Sequence, residues 1–167
     1  MSPRLIGYYQ SFDRNLNFAQ LRSVGLTHVH LASIHFGVEP DGEPYIHLNN
    51  LAPIHESFDF VWKQMADFKT CGGKVVLMIG GAGGGYETLL NPQYSDVCLS
   101  LLLELLTSKK ALIDGVDFDV EQPVDIDKLL RVVRAVQVAR PGILLTFAPL
   151  ASSLQNDSPG MGGFSYK

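Results

Sequence analysis

The chain has 167 residues, of which 46% are hydrophobic and 18% charged, with a formal net charge of −4. That length suits one domain with a real core, and without a Lys/Arg cluster or basic stripe nucleic acid is not an expected partner. The longest apolar run, residues 99–106, is interrupted by Glu104 and is too short to cross a bilayer.

Taken in chain order, apolar β-rich runs alternate with amphipathic ones. Residues 4–12 (RLIGYYQSF) read as a strand. Residues 17–25 read as a short helix, with Phe18, Leu21 and Val24 on one stripe and Gly25 as its stop. Residues 27–37 (THVHLASIHFG) predict a second strand, followed by a polar loop with Pro40, Gly42 and Pro44. Residues 57–73 form the next helix, with Phe58, Val61, Met65 and Phe68 near helical spacing and glycines at its end. Residues 74–81 (KVVLMIGG) are a continuous apolar run, as in a parallel strand covered on both faces.

A helix over residues 95–106 precedes the segment DGVDFDVEQ at 114–122, which reads as a strand. A helix over 126–140 is stopped by Pro141 and Gly142, and residues 143–149 make a fifth strand. The tail, rich in Ser, Gly and Asn, is expected to be a loop. Five strands alternating with four helices imply parallel βα units with right-handed crossovers, an α/β fold.

The acidic strand carries the chemistry. Asp117, Asp119 and Glu121 alternate with Val116, Phe118 and Val120, so in an extended chain the three acids share one face. Neighbours on that face are roughly 6–7 Å apart and repel when ionised. An exposed edge strand could carry such a row, but this strand lies mid-pattern between helices that should cover it. Inward-pointing acids then belong in a barrel interior or at its mouth. Like-charged neighbours raise a carboxyl pKa, so one member can stay protonated and act as a general acid. Glu121 is last in the row, nearest the end where barrel active sites open. It is the expected proton donor, supported by Asp119 and Asp117.

The segment IDGVDFDVE resembles the signature of the family 18 glycoside hydrolases, chitinases and their relatives: Asp-x-x-Asp-x-Asp-x-Glu on the fourth strand of a (β/α)8 barrel. Asp114, Gly115, Asp117, Asp119 and Glu121 all match. IGYYQ resembles the first strand of that family, placing Gly7 and Tyr8 at its Gly-Tyr pair. KVVLMIGG resembles the third-strand Ser-x-Gly-Gly motif, with Gly80 and Gly81 in place and Met78 where Ser is usual. The resemblance covers five βα units and implies a TIM-type barrel truncated after about five parallel strands, a single partial catalytic domain over residues 1–167.

It further implies hydrolysis of β-1,4-linked N-acetylglucosamine in chitin-like glycans, with retention and with the substrate's 2-acetamido group as nucleophile. Glu121 would protonate the glycosidic oxygen, Asp119 would orient the acetamido group, and Asp117 would share a proton with Asp119. Tyr8, Gly80, Gly81 and Asp114 are the implied substrate-binding residues, and no metal or organic cofactor is implied. The alternatives are a barrel of the same kind that binds chitin-like glycans without cutting them, or an inactive truncated chitinase. Non-cutting relatives typically lack the terminal Glu, and Glu121 is present. A full barrel takes about 250 residues, so the chain alone is expected to fold poorly or to self-associate through its incomplete barrel, with weak or absent activity.

The remaining features point less sharply. GGAGGG at 80–85 lacks a P-loop ending and dinucleotide-fold spacing, and reads as a flexible loop beside a sugar cleft. His28 and His30 form a His-x-His pair such as metal-dependent barrel hydrolases use. Later strands offer acids but no histidine, and His30 lies early in its strand rather than at its exit. His35, His47 and His55 read as surface or loop residues. Tyr9, Phe12, Phe36 and Tyr86 lie near predicted strand exits, where aromatic residues line glycan grooves but more often fill cores. Cys71 and Cys98 are too few for a disulfide framework or zinc site and read as buried thiols. The N-terminus lacks the apolar segment of a signal peptide, so the default location is the cytoplasm, with no membrane partner.

Overall fold

The computed structural model describes residues 3–167. Its elements are β1 (Ile6–Tyr9), α1 (Phe18–Ser23), β2 (His28–Val38), β3 (Pro44–Leu48), α2 (Asp59–Thr70), β4 (Lys74–Gly80), α3 (Tyr86–Leu89), α4 (Ser95–Ser108), β5 (Gly115–Asp119), α5 (Ile126–Ala139), β6 (Leu144–Phe147) and α6 (Ala151–Asn156). A 3-10 turn at Glu56–Phe58 leads into α2. The strands form one sheet in the order β1-β2-β4-β5-β6, parallel throughout, with β3 antiparallel to β2. The parallel sheet does not close. It matches a TIM-type barrel truncated after five parallel strands.

Local chemistry accounts for the elements. The Asn17 side chain caps α1 by accepting from the Gln20 N–H, and Asp125 caps α5 by accepting from the N–H groups of Asp127 and Lys128. Leu129, Val132, Val133 and Val136 are the buried stripe of α5, at the i, i+3, i+4, i+7 spacing of a helix laid against a sheet. In α2 the same work falls to Val61, Trp62, Met65 and Phe68.

Along each strand, alternate residues divide between two faces. Tyr9, Val29, Leu31, Val75, Leu77, Ile79, Val116 and Phe118 belong to the helix-covered core, with Leu145 and Phe147 packed against it. Residues of opposite parity, including Tyr8, His30, Met78, Asp117 and Thr146, therefore share the other face, which would be the inside of a barrel.

Three segments differ from the sequence-based expectation. The polar loop after β2 turns at 40–41 and returns as β3, because Tyr45, Ile46 and Leu48 pair with Gly37, Phe36 and Ile34. The hairpin stayed hidden behind Pro40, Gly42 and Pro44, which read as breakers. Leu89 and Tyr86 anchor a short helix, α3, directly after the glycine run. The tail is also folded: it carries α6, the Val124 N–H donates to the Gly162 carbonyl, and Tyr166 meets Phe147 edge-on at 6.2 Å. Cys71, expected to be buried, is exposed just past the end of α2, whereas Cys98 is buried.

Candidate active site

The acidic face is centred on Asp117, the middle residue of β5, which is 1% exposed. A buried carboxylate needs donors, and they come from the adjacent strand β6 and from β1 and β2 farther along the sheet. The Tyr8 hydroxyl on β1 donates to Oδ2 at 3.1 Å, and the Thr146 hydroxyl on β6 donates to Oδ1. His30 Nδ1 on β2 lies 3.1 Å from the same Oδ2. The His30 contact is within the length of an ordinary N–H···O hydrogen bond but has a poor angle, so by strict geometry neither ring nitrogen has a partner. Burial pushes the Asp117 carboxyl pKa up, but the donors His30, Thr146 and Tyr8 outweigh it and hold it below the usual carboxylate range.

Asp119, the last residue of β5, is partly exposed and has the opposite character. Among the described residues no donor reaches its carboxyl. Burial, then the charges of Glu121 and Asp117, raise its pKa to about 6. Glu121 follows two residues beyond, partly exposed, just past the strand end. The row thus contains one acid whose pKa is held down and one that keeps its proton up to about pH 6. That separation marks acid–base sites. Tyr8 is 54% exposed on the same face, and its phenol is held well above its ordinary pKa by burial and by Asp117. Tyr166 in the tail is shifted upward by burial and by Asp119.

Gly80 and Gly81 meet the row through its backbone. The Gly81 N–H donates to the Asp119 carbonyl at 2.9 Å, and a Cβ at Gly80 would fall on that same carbonyl oxygen. Farther along the glycine run, a Cβ at Gly85, whose φ is +74°, would strike the Phe36 carbonyl. Gly80 and Gly85 are thus fixed by close approach of the protein's own backbone, while Ala82 and Gly83 between them are exposed and a Cβ at Gly83 would meet open space. Met78 lies beside Ser33 of β2, whose hydroxyl is 3.6 Å from its sulfur and donates to the Gly80 carbonyl.

Asp114 does not join the row. It precedes β5 at the opposite end of the strand, where Lys69 Nζ (2.6 Å), Lys74 Nζ (3.1 Å) and the Val75 N–H (3.0 Å) hold its carboxylate. It ties α2 and β4 to β5 rather than lining the acidic face. His28 is drawn to Thr27, with Nδ1 2.8 Å from the Thr27 hydroxyl, while His30 turns to Asp117. Among the described residues no three His, Cys, Asp or Glu side chains are grouped to hold a metal ion. Tyr9, Phe36 and Tyr86 are core residues, and the Tyr86 hydroxyl donates to the Ile79 carbonyl.

Sequence reasoning missed His30, Thr146 and Ser33 as members of this face. The parity of β2 and β6 relative to the acidic strand would have placed His30 and Thr146 there. Ser33 lies at a shift in the β2/β4 register between Leu31 and Ile34, which no strand pattern reveals.

No protein-family model and no curated protein matches the chain. Among solved structures it is similar to a fungal endo-β-N-acetylglucosaminidase from glycosyl hydrolase family 18, with 30% identity and a TM-score of 0.83 over 98% of this chain and 60% of that one. It is similar to the chitinase ChiC from Aspergillus fumigatus, with 27% identity and a TM-score of 0.85 over 99% of this chain and 60% of that one. A chitinase-like agglutinin from Robinia pseudoacacia shares the fold at 17% identity and a TM-score of 0.56, over 85% of this chain and 45% of that one. The chain thus spans about 60% of the length of the first two structures. No helix among the described residues is long and apolar enough to cross a membrane. In fold, as in its acidic strand, the chain resembles the family 18 glycoside hydrolases, chitinases and chitinase-like proteins, over the first five βα units of their barrel.

Proposed function

We propose that the chain forms the acid-bearing part of a glycoside hydrolase acting on β-1,4-linked N-acetylglucosamine, as in chitin, by a retaining, substrate-assisted mechanism. The observation that carries this is the separation within the acid row. Asp117 is buried, with Tyr8 and Thr146 donating to it and its pKa held down, Asp119 keeps its proton up to about pH 6, and Glu121 stands at the open end.

In this reading the 2-acetamido oxygen of the bound sugar attacks its own anomeric carbon and forms an oxazolinium ion. Glu121 gives a proton to the departing glycosidic oxygen and later takes one from the water that opens the ring. Asp119 orients the acetamido N–H and balances the positive charge that develops there, with Asp117 beneath it as a fixed negative charge. The Tyr8 phenol, half exposed above Asp117, borders the reacting sugar.

A second reading is a barrel that holds chitin-like glycans without cutting them. It draws support from the open sheet, which leaves the acidic face bounded by five parallel strands. Release of fluorophore from a fluorogenic chitotrioside, measured beside Glu121→Gln together with binding of unlabelled chitotriose, separates the two. Turnover that disappears in Glu121→Gln supports the hydrolase. Binding without turnover assigns the chain to glycan binding. Turnover that persists in the variant removes Glu121 as proton donor, and absence of both binding and turnover refutes both readings.

A further inference from the structure

His30 is the least explained polar group in the molecule. Its imidazole is 2% exposed, both ring nitrogens are buried, and neither meets a partner at good hydrogen-bond geometry. Burying such a group without a partner costs about 1–3 kcal/mol, which a core Val or Leu at this position would avoid. The nearest acceptor is Oδ2 of Asp117, 3.1 Å from Nδ1. Parity alone puts His30 on the acidic face, where it pairs with Tyr8 across β1/β2 and with Val76 across β2/β4. The Tyr8 ring packs edge-on against the imidazole at 5.0 Å while its hydroxyl reaches Asp117. The buried Asp117 and His30 and the half-exposed Tyr8 therefore form one cluster spread over three strands.

We infer that His30 is a positioning residue whose Nδ1–H donates to Asp117, fixes that carboxylate in its ionised form, and thereby assigns the proton of the acid row to Asp119. The geometry distributes donors unequally. Asp117 Oδ2 faces Tyr8 and His30 and Oδ1 faces Thr146, whereas among the described residues the Asp119 carboxyl receives none. A proton shared between two such acids resides on the one without donors. The other ionisable groups around the cluster act in the same sense or from farther away. Glu121 disfavours a second charge on Asp119, and so does Asp117 itself. The phenols of Tyr86 and Tyr166 are shifted upward by burial and by Asp119, and so stay neutral. His28, next but one on β2, is engaged with Thr27. As a step in hydrolysis, this inference rests on the glycosidase reading above. As a statement of where a proton sits, it does not.

The test is nuclear magnetic resonance on the 13C,15N-labelled chain, which reads protons directly. Long-range 15N–1H correlations should show His30 protonated at Nδ1. The Asp117 carboxyl carbon should stay in its ionised form from pH 8 to 4, while Asp119 titrates near 6. In His30→Leu the midpoint of Asp117 should rise by about 1–3 units, and that of Asp119 should fall as its neighbour gives up charge. His30→Asn, whose amide nitrogen lies near the place of Nδ1, should restore the original order.

A wild-type His30 bare at Nδ1 and protonated only at Nε2 overturns the inference without any variant, so it stays testable if His30→Leu does not fold. An unmoved Asp117 in a folded His30→Leu overturns it as well. A chain that leaves chitotrioside uncut yet shows the Nδ1–H and the split titration loses the hydrolase reading and keeps this one. A chain that cuts chitotrioside with Nδ1 bare does the reverse.

Discussion

Replacing Asp119 by Asn should make the protein more stable at neutral pH and leave its stability unchanged in acid. Asn is nearly isosteric with a protonated Asp, so packing is held constant and only ionisation is removed. The folded protein raises the Asp119 carboxyl from 3.8 to about 6, by burial and by the charges of Glu121 and Asp117. Between those two values the folded chain binds more protons than the unfolded one, so stability falls as pH rises through this window. Below 3.8 the group is neutral in both states and contributes no difference. Above about 6 the wild type bears the full cost of the charge. A displacement of about two units corresponds to about 3 kcal/mol. Because the Asp119 carboxyl is partly exposed and solvent screens it, the expected difference is reduced to about 1–2 kcal/mol. Urea melts of wild type and Asp119→Asn at intervals from pH 3.5 to 8 should therefore coincide at the acid end and separate, with the variant on top, between pH 4 and 7. A difference that is constant across the range, or a variant less stable at pH 7.5, would refute the placement of the proton on Asp119.

Other consequences concern the scaffold. Asp114→Ala removes the carboxylate held by Lys69, Lys74 and the Val75 N–H. Burial pushes that carboxyl up, but those hydrogen bonds outweigh it and hold its pKa below 3.8, so its contribution is present at neutral pH and lost as pH falls through the depressed value. Melts should show the variant weaker at pH 7, with the gap narrowing in strong acid. Phe68→Ala empties a fully buried site against Phe18 and should cost about 3–5 kcal/mol in a denaturant melt. Gly85→Ala combines a φ of +74° with a Cβ against the Phe36 carbonyl, so its melting temperature should fall well below that of Gly83→Ala, where the Cβ meets open space. With a thiol reagent at pH 8, exposed Cys71 should react in the native state. Cys98, buried and with its thiol pushed up to about 11, should react only on unfolding.

The parts of this molecule that were legible in its sequence are those governed by periodicity. Period 3.6 in residues 126–139 states which side of the helix is apolar, and burial obeys it directly, while period 2 in residues 115–119 fixes the face each side chain takes although Gly115, Val116, Asp117 and Phe118 are all buried. The β3 hairpin was lost because pairing is a property of two segments: Tyr45, Ile46 and Leu48 become a strand only opposite Gly37, Phe36 and Ile34. Asp114 shows the complementary limit. Its spacing from Asp117 fits the family signature, yet three residues along a strand reverse the face and shift the chain by about 10 Å, which carries it to the lysines at the other end. The acid row itself was legible as a row, since parity fixes it. Its division of labour was not. Within the sequence Asp117 and Asp119 are interchangeable, each flanked by an apolar residue on either side and by an acid two positions away. They become different only when β1, β2 and β6 bring Tyr8, His30 and Thr146 to one of them and not to the other. The chemistry of the row therefore belongs to the sheet and not to the strand that carries it. Changes on those three other strands should redistribute its proton while leaving the acidic motif intact.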